Sequence, residues 1–187
     1  PCQSFSSVGR AQDKFSMAKD KRNYFYKDFF ECLKIIKPNF FVFENVRGIL
    51  SAKPNGVKIF DNILELSKKL GYVTLDDTSK MVFDTSEYGV PQVRKRVFVI
   101  GVKKKYSNLI PKIYDDLINI HKDKKKFTVK DAISDLPPLK PGEGVEKIRV
   151  LKKNKNDYLK KITNSKFIYN HVARNHNEKD RQRYKYL

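Results

Sequence analysis

Phe40-Phe41-Val42-Phe43-Glu44-Asn45-Val46 is the stretch on which the fold turns. Four apolar residues in a row lie between Pro38 and the polar pair Glu44-Asn45. Such a run is too short for a helix and reads as a strand buried on both faces, as in a parallel sheet. Upstream, Phe25, Phe29, Phe30, Leu33 and Ile36 recur at helical spacing, and Pro38 ends that helix. Downstream, Gly48 breaks the chain, and Ile59, Ile63, Leu66 and Leu70 share one face of a second helix with Gly71 as its cap. Residues 72–75, 81–83 and the β-branched run 96–102 read as further strands. This order is that of an α/β protein and predicts helices flanking a mostly parallel sheet.

The composition changes after Lys103. Residues 103–126 are rich in Lys, Asp and Asn, and residues 128–133 read as a short capped helix. Leu136-Pro137-Pro138-Leu139 and Pro141-Gly142-Glu143-Gly144 predict a rigid, turn-rich linker, followed by a basic stretch with scattered aromatics from 145 to 187. No internal repeat is present. The domain expectation is a core over 1–110 and a basic second region over 111–187.

At 187 residues the chain is long enough for one real core. Forty Lys and Arg stand against 21 Asp and Glu, a formal charge of +19. That excess points to a polyanionic partner, nucleic acid above all, although lysine scattered by AT-rich coding gives the same count. Cys2 and Cys32 are the only cysteines. A disulfide scaffold is excluded, and a reducing cytoplasm is the natural setting. No apolar run approaches the roughly 20 residues of a membrane-spanning helix, and no signal-peptide pattern is visible.

Candidate chemistry falls in three places. Cys2 lies in Pro1-Cys2-Gln3-Ser4-Phe5-Ser6, a polar stretch that leads to Gly9 and Arg10. A thiol becomes a nucleophile when nearby cations lower its pKa; otherwise a lone cysteine is a small buried hydrophobe. The second reading is the one for Cys32, on or near the apolar face of the first helix. Glu44 follows the apolar strand, and ligands of open α/β sheets gather outside the carboxyl ends of strands. It can serve as a general acid or read a base edge, or it can merely cap the next helix; Asn45 orients backbone. Gln92 follows the Gly89-Val90-Pro91 turn. Arg94 and Arg96 are expected on opposite faces of a strand start, one holding a phosphate and one facing the pocket. The plainer reading is a pair of surface cations.

Pro-Cys-Gln-x-Phe-Ser, then Glu-Asn-Val, then Tyr-Gly-Val-Pro-Gln-x-Arg-x-Arg, in this order and spacing, resembles the motifs of the DNA cytosine-5 methyltransferases, of the bacterial restriction–modification type. Ala132-Ile133-Ser134-Asp135-Leu136-Pro137 and Asn170-His171-Val172-Ala173-Arg174 look like downstream segments of the same family. The Cys-Phe-Thr signature of the tRNA-directed branch is absent.

The resemblance implies a Rossmann-like, S-adenosylmethionine-dependent methyltransferase fold, with only its central part present, and the start of a basic DNA-recognition region. It implies a cytosine flipped out of double-stranded DNA. Cys2 would attack C6, Glu44 would hold the N3 and amino edge, and C5, made nucleophilic, would take the methyl group of S-adenosylmethionine. Arg96 would contact the cytosine O2 and Arg94 the DNA backbone. Gln3, Ser6 and Arg10 would belong to a loop closing over the base, Asn45 would orient backbone, and Gln92 would support the site. The family's Phe-x-Gly-x-Gly cofactor loop and ribose-binding acid do not occur in the sequence, so the cofactor site calls for a companion chain or segment. Two other readings remain at this point: a catalytically incomplete, basic DNA-binding fragment, and a cysteine hydrolase pairing Cys2 with His121, His171 or His176. No metal site is expected.

Overall fold

The computed structural model describes residue 5 and residues 20–120, 125–149 and 156–185. Cys2, Gln3, Ser6, Arg10 and His121 lie outside the described residues. The chain forms two compact units, residues 1–126 and 127–187.

The first unit is built on a four-stranded sheet of β1 (Phe40–Val46), β2 (Tyr72–Thr74), β3 (Val82–Asp84) and β4 (Lys95–Lys103). β4 is the hub. β1 pairs along one of its edges, from Phe40↔Val102 to Val46↔Arg96, while β2 and β3 pair with its two ends. All these ladders are antiparallel, which corrects the expectation of a mostly parallel sheet. β1 and β2 do run parallel to each other, but β4, later in sequence, is inserted between them. An apolar run reports burial and is silent on strand direction.

The burial of β1 is also one-sided. Phe41 is buried, whereas Phe40 is 67% and Val42 50% exposed. The Phe41 ring meets Phe29, Phe30 and Tyr72 edge-on, with centroids 5.7, 6.2 and 5.1 Å away. Edge-to-face pairs of this kind add about 0.5–1.5 kcal/mol to simple burial. Gly101 lies opposite Phe41 in the ladder, and a Cβ there would overlap the Phe41 ring. The close approach of ring to backbone requires glycine at that position.

α1 (Tyr26–Ile36) and α2 (Ile59–Lys69) match the predicted helices. α1 follows a 3-10 turn, Lys21–Tyr24, whose cap Asp20 accepts from the Arg22 amide. It ends at Lys37, in the left-handed region at φ 50°, directly before Pro38. Tyr26, Phe30 and Leu33 form its buried face. Cys32 is exposed, contrary to its expected place near the apolar face, because it falls one residue before Leu33 and outside that stripe. α2 buries Ile59, Phe60, Ile63 and Ser67, and the Ser67 hydroxyl donates to the Ile63 carbonyl at 2.8 Å.

A third helix, α3 (Leu109–Asn119), lies in the stretch whose composition masked it. Leu109, Ile110, Ile113, Tyr114 and Leu117 recur at helical spacing, and Pro111 sits in the first turn, where proline is tolerated. Ile110 and Tyr114 are buried.

The second unit contains α4 (Val129–Ile133), α5 (Asp157–Ile162), α6 (Glu178–Tyr184) and an antiparallel ribbon of β5 (Gly144–Arg149) and β6 (Phe167–Val172). The predicted capped helix is α4: the Thr128 side chain accepts from the Asp131 amide, and Asp131 accepts from the Thr128 amide in return. Asn156 caps α5 and donates to the Asp131 carbonyl at 2.8 Å, which ties α5 to α4. Among the described residues, no helix is long and apolar enough to cross a membrane.

Candidate active site

Strand geometry brings Glu44 and Arg96 together. Glu44 pairs with Phe98 and Arg96 with Val46, so the two side chains share one face of the sheet on a diagonal. Arg96 Nε lies 3.1 Å from Glu44 Oε1; the Arg96 side chain is 16% exposed and that of Glu44 50%. The arginine also donates from Nη1 to the Lys95 carbonyl at 2.8 Å. A half-buried guanidinium is thus fixed from two sides, and the carboxylate beside it keeps one edge open to a ligand.

Asn45 points the other way. It is buried, and its Oδ1 accepts from the Val46 amide at 2.9 Å, which shapes the turn out of β1.

Arg94 and Arg96 do not alternate across a strand. β4 begins at Lys95, so Arg94 belongs to the preceding loop; residues two apart in a strand would in any case share a face. Arg94 and Gln92 are both exposed. Their loop is closed by residues that sequence reasoning missed. Thr85 donates from its amide to the Arg94 carbonyl at 3.1 Å and from its hydroxyl to the Gln92 carbonyl at 2.6 Å. Asp84 Oδ1 accepts from the Ser86 amide, the Ser86 hydroxyl and the Arg94 amide at 3.1, 2.9 and 3.3 Å. Donation from the Ser86 backbone is the main reason that the Asp84 carboxyl sits below its ordinary pKa; the Ser86 hydroxyl, the Arg94 amide and the charge of Lys95 add to the effect, against a partial opposition from desolvation. Gly89, at φ 77°, supplies the left-handed turn inside the loop. The visible signal was Asp-Thr-Ser ahead of Gly-Val-Pro, the composition of a side-chain-closed turn.

Phe5 was also missed as an anchor. It is buried in the core of the first unit and lines a cavity of about 260 Å³ with Arg22, Phe25, Phe29, Glu44 and Asn45. Phe5 and Glu44 therefore line the same cavity.

On the Glu44–Arg96 face the exposed side of the sheet continues as a groove of about 640 Å³, walled by Phe40, Val42, Phe83, Phe98, Ile113 and Leu117, with Arg96 at its margin. Hydrocarbon bordered by a guanidinium does not suit a cationic sulfonium. Among the described residues, no group of three or more His, Cys, Asp or Glu could hold a metal ion. His171 is engaged by the Pro137 carbonyl at 2.8 Å, within the second unit.

A family model, C-5 cytosine-specific DNA methylase, matches residues 1–187. The chain is 40% identical over 148 residues to the Type II methyltransferase M.Bpa9945I of Bacillus paralicheniformis, covering 77% of this chain and 32% of that protein. It is 35% identical over 181 residues to the Type II methyltransferase M.DdeI of Desulfomicrobium norvegicum, covering 96% of this chain and 41% of that protein. A solved structure described as a DNA modification methyltransferase encoded within a prophage, from E. coli, superposes with a TM-score of 0.61 at 26% identity, over 90% of this chain and 51% of that one. The chain thus spans a third to two-fifths of the length of these two curated relatives. With the whole of its length matched, the chain belongs to the C-5 cytosine-specific DNA methylase family.

Proposed function

We propose that this chain carries the base-handling part of a DNA cytosine-5 methyltransferase, of a restriction–modification system in a bacterial cytoplasm. The observation that supports this best is the ion pair that holds Arg96 against Glu44, at an end of β1 that lines one cavity with the buried Phe5. Three positions separate Phe5 from Cys2, so the buried anchor and the candidate nucleophile share one short segment.

In this reading the Cys2 thiolate forms a bond to C6 of a flipped cytosine, and the ring electron pair moves toward N3. Glu44 holds the proton that N3 accepts and the hydrogen bond from the exocyclic amine. Arg96 donates to O2 and fixes the Glu44 carboxylate. Gln3, Ser6 and Arg10 close over the base; Arg94, on the loop pinned by Asp84, meets a phosphate, and Gln92 supports that loop. After transfer the C5 proton is lost, the C6–sulfur bond breaks and the thiolate returns. The family draws its methyl group from S-adenosylmethionine. The apolar groove beside Arg96 does not suit that cofactor, and its binding elements are assigned to a companion segment or chain.

The test is trapping of the full-length protein that carries this chain on DNA containing 5-fluorocytosine, in the presence of S-adenosylmethionine. A denaturation-resistant complex that disappears in Cys2→Ala supports the reading. Equal trapping by Cys2→Ala overturns the mechanism, and DNA binding without any trapping leaves a non-catalytic binding fragment.

A further inference from the structure

The β5–β6 ribbon carries a surface that the reaction does not use. Its register pairs Val145 with His171, Lys147 with Tyr169, Ile148 with Ile168 and Arg149 with Phe167. Side chains alternate across a strand, so Lys147, Arg149, Tyr169 and Phe167 share one face, and Ile148 with Ile168 occupies the other. The isoleucines are half-buried, while Tyr169 is 55% and Phe167 38% exposed. The two isoleucines thus occupy one face, and two aromatic rings, with Val145, are left exposed on the other.

The cations on this face are organised. Lys147 Nζ lies 4.4 Å from the Phe167 ring centroid and 5.5 Å from that of Tyr169. Among the described residues, neither Lys147 nor Arg149 forms an ion pair with a carboxylate, unlike Lys34, Lys58, Lys69 and Lys112 on the helices of the first unit. Two residues of strand place their positions about 6.5 Å apart, on the scale of neighbouring phosphates of one DNA strand. A ring-supported ammonium and a guanidinium at that spacing, beside two exposed aromatic faces, match the chemistry of a sugar–phosphate backbone.

We propose that this ribbon face is a sequence-independent DNA contact, with Lys147 and Arg149 on successive phosphates and Tyr169 and Phe167 against the sugars. The proposal rests on the reading that the chain acts on DNA, and it adds a binding surface in the second unit.

The test is fluorescence-anisotropy titration of a labelled duplex with the 187-residue chain across a range of salt concentrations. The variant is Lys147→Gln/Arg149→Gln, which removes both charges and keeps an unbranched polar side chain at each position. Lys68→Gln/Lys160→Gln, at two other exposed lysines, is the control of similar charge, and circular dichroism confirms that both fold. The expected result is a salt slope smaller by about two for the ribbon variant, about one for each phosphate no longer neutralised, with at least a tenfold loss of affinity at low salt. Tyr169→Ala should weaken binding with an unchanged slope. A ribbon variant that behaves like the control overturns the proposal and leaves the methyltransferase reading intact. If the unchanged chain and the full-length protein both fail to bind duplex, the reading on which the proposal rests fails with it.

Discussion

The hydroxyl of Tyr114 accepts a hydrogen bond from the amide of Ile100 at 2.9 Å, in place of a strand. β2 covers residues 101–103 on that edge of β4 and β3 covers 95–97, so 98–100 face a gap. The same hydroxyl donates to the Phe98 carbonyl at 2.8 Å, and one side chain satisfies both ladder groups that face the gap. Tyr114→Phe removes only this oxygen and leaves a buried donor and acceptor unpaired. The expected cost is about 1–3 kcal/mol, measured as a lower urea midpoint with an unchanged slope.

Burial also pushes the Tyr114 phenol up to about 12, well above its ordinary value of 10.0. A raised pKa means that the unfolded chain loses this proton first as the solution becomes alkaline. The associated stability is intact below about pH 10 and is lost as pH rises toward 12. Tyrosinate absorbance should show one phenol that ionises only as the fold is lost, and that step should be missing in Tyr114→Phe.

Gly101→Ala should destabilise the sheet by about 1–3 kcal/mol, because the new methyl overlaps the Phe41 ring. Phe41→Leu combined with Gly101→Ala should cost less than the sum of the single changes, since the smaller side chain makes room. Strict additivity in a double-mutant cycle would show that the ring does not press on Gly101.

Glu44→Gln tests the division between structure and chemistry. The carboxylate is half-exposed, so its ion pair with Arg96 contributes at most about 1 kcal/mol to stability. In the proposed reaction it assists proton placement, an effect commonly of about 10²–10⁴-fold. Thermal unfolding should barely move, while the rate of trapping on 5-fluorocytosine DNA should fall by about a hundredfold or more. A large loss of stability with unchanged trapping would make the pair structural.

The Asp84 carboxyl lies below its ordinary 3.8, so its three hydrogen bonds stabilise the 84–94 loop fully above that pH. The contribution is lost as pH falls from 3.8 through the lowered folded value. Amide exchange at Ser86 and Arg94, corrected for intrinsic rates, should accelerate in that acid window. Asp84→Ala should show the faster exchange already at neutral pH.

The helices around β1 were readable because their apolar stripes are regular, and the motif residues were readable because their types recur in a recognisable order. Strand direction was not: the hub strand Lys95–Lys103 looks the same whichever way it runs. α3 hid behind its two aspartates and the lysines that flank it, although Tyr114 is among the most buried residues. The Glu44–Arg96 pairing depends on a register that no single segment encodes. Asp84 and Thr85 were overlooked because their work is done on backbone groups rather than on a substrate.

The central position of β4 has a consequence for synthesis. Every described ladder of the four-stranded sheet has β4 as one partner, yet translation reaches Lys95–Lys103 only after β1, α1, α2, β2 and β3 have been made. At about 5–20 residues per second, Phe40-Phe41-Val42-Phe43 waits several seconds for its partner strand. During that interval β1 lacks the ladder that the described residues give it, and the ribosome-bound intermediate is more open to chaperone capture and aggregation than the finished sheet.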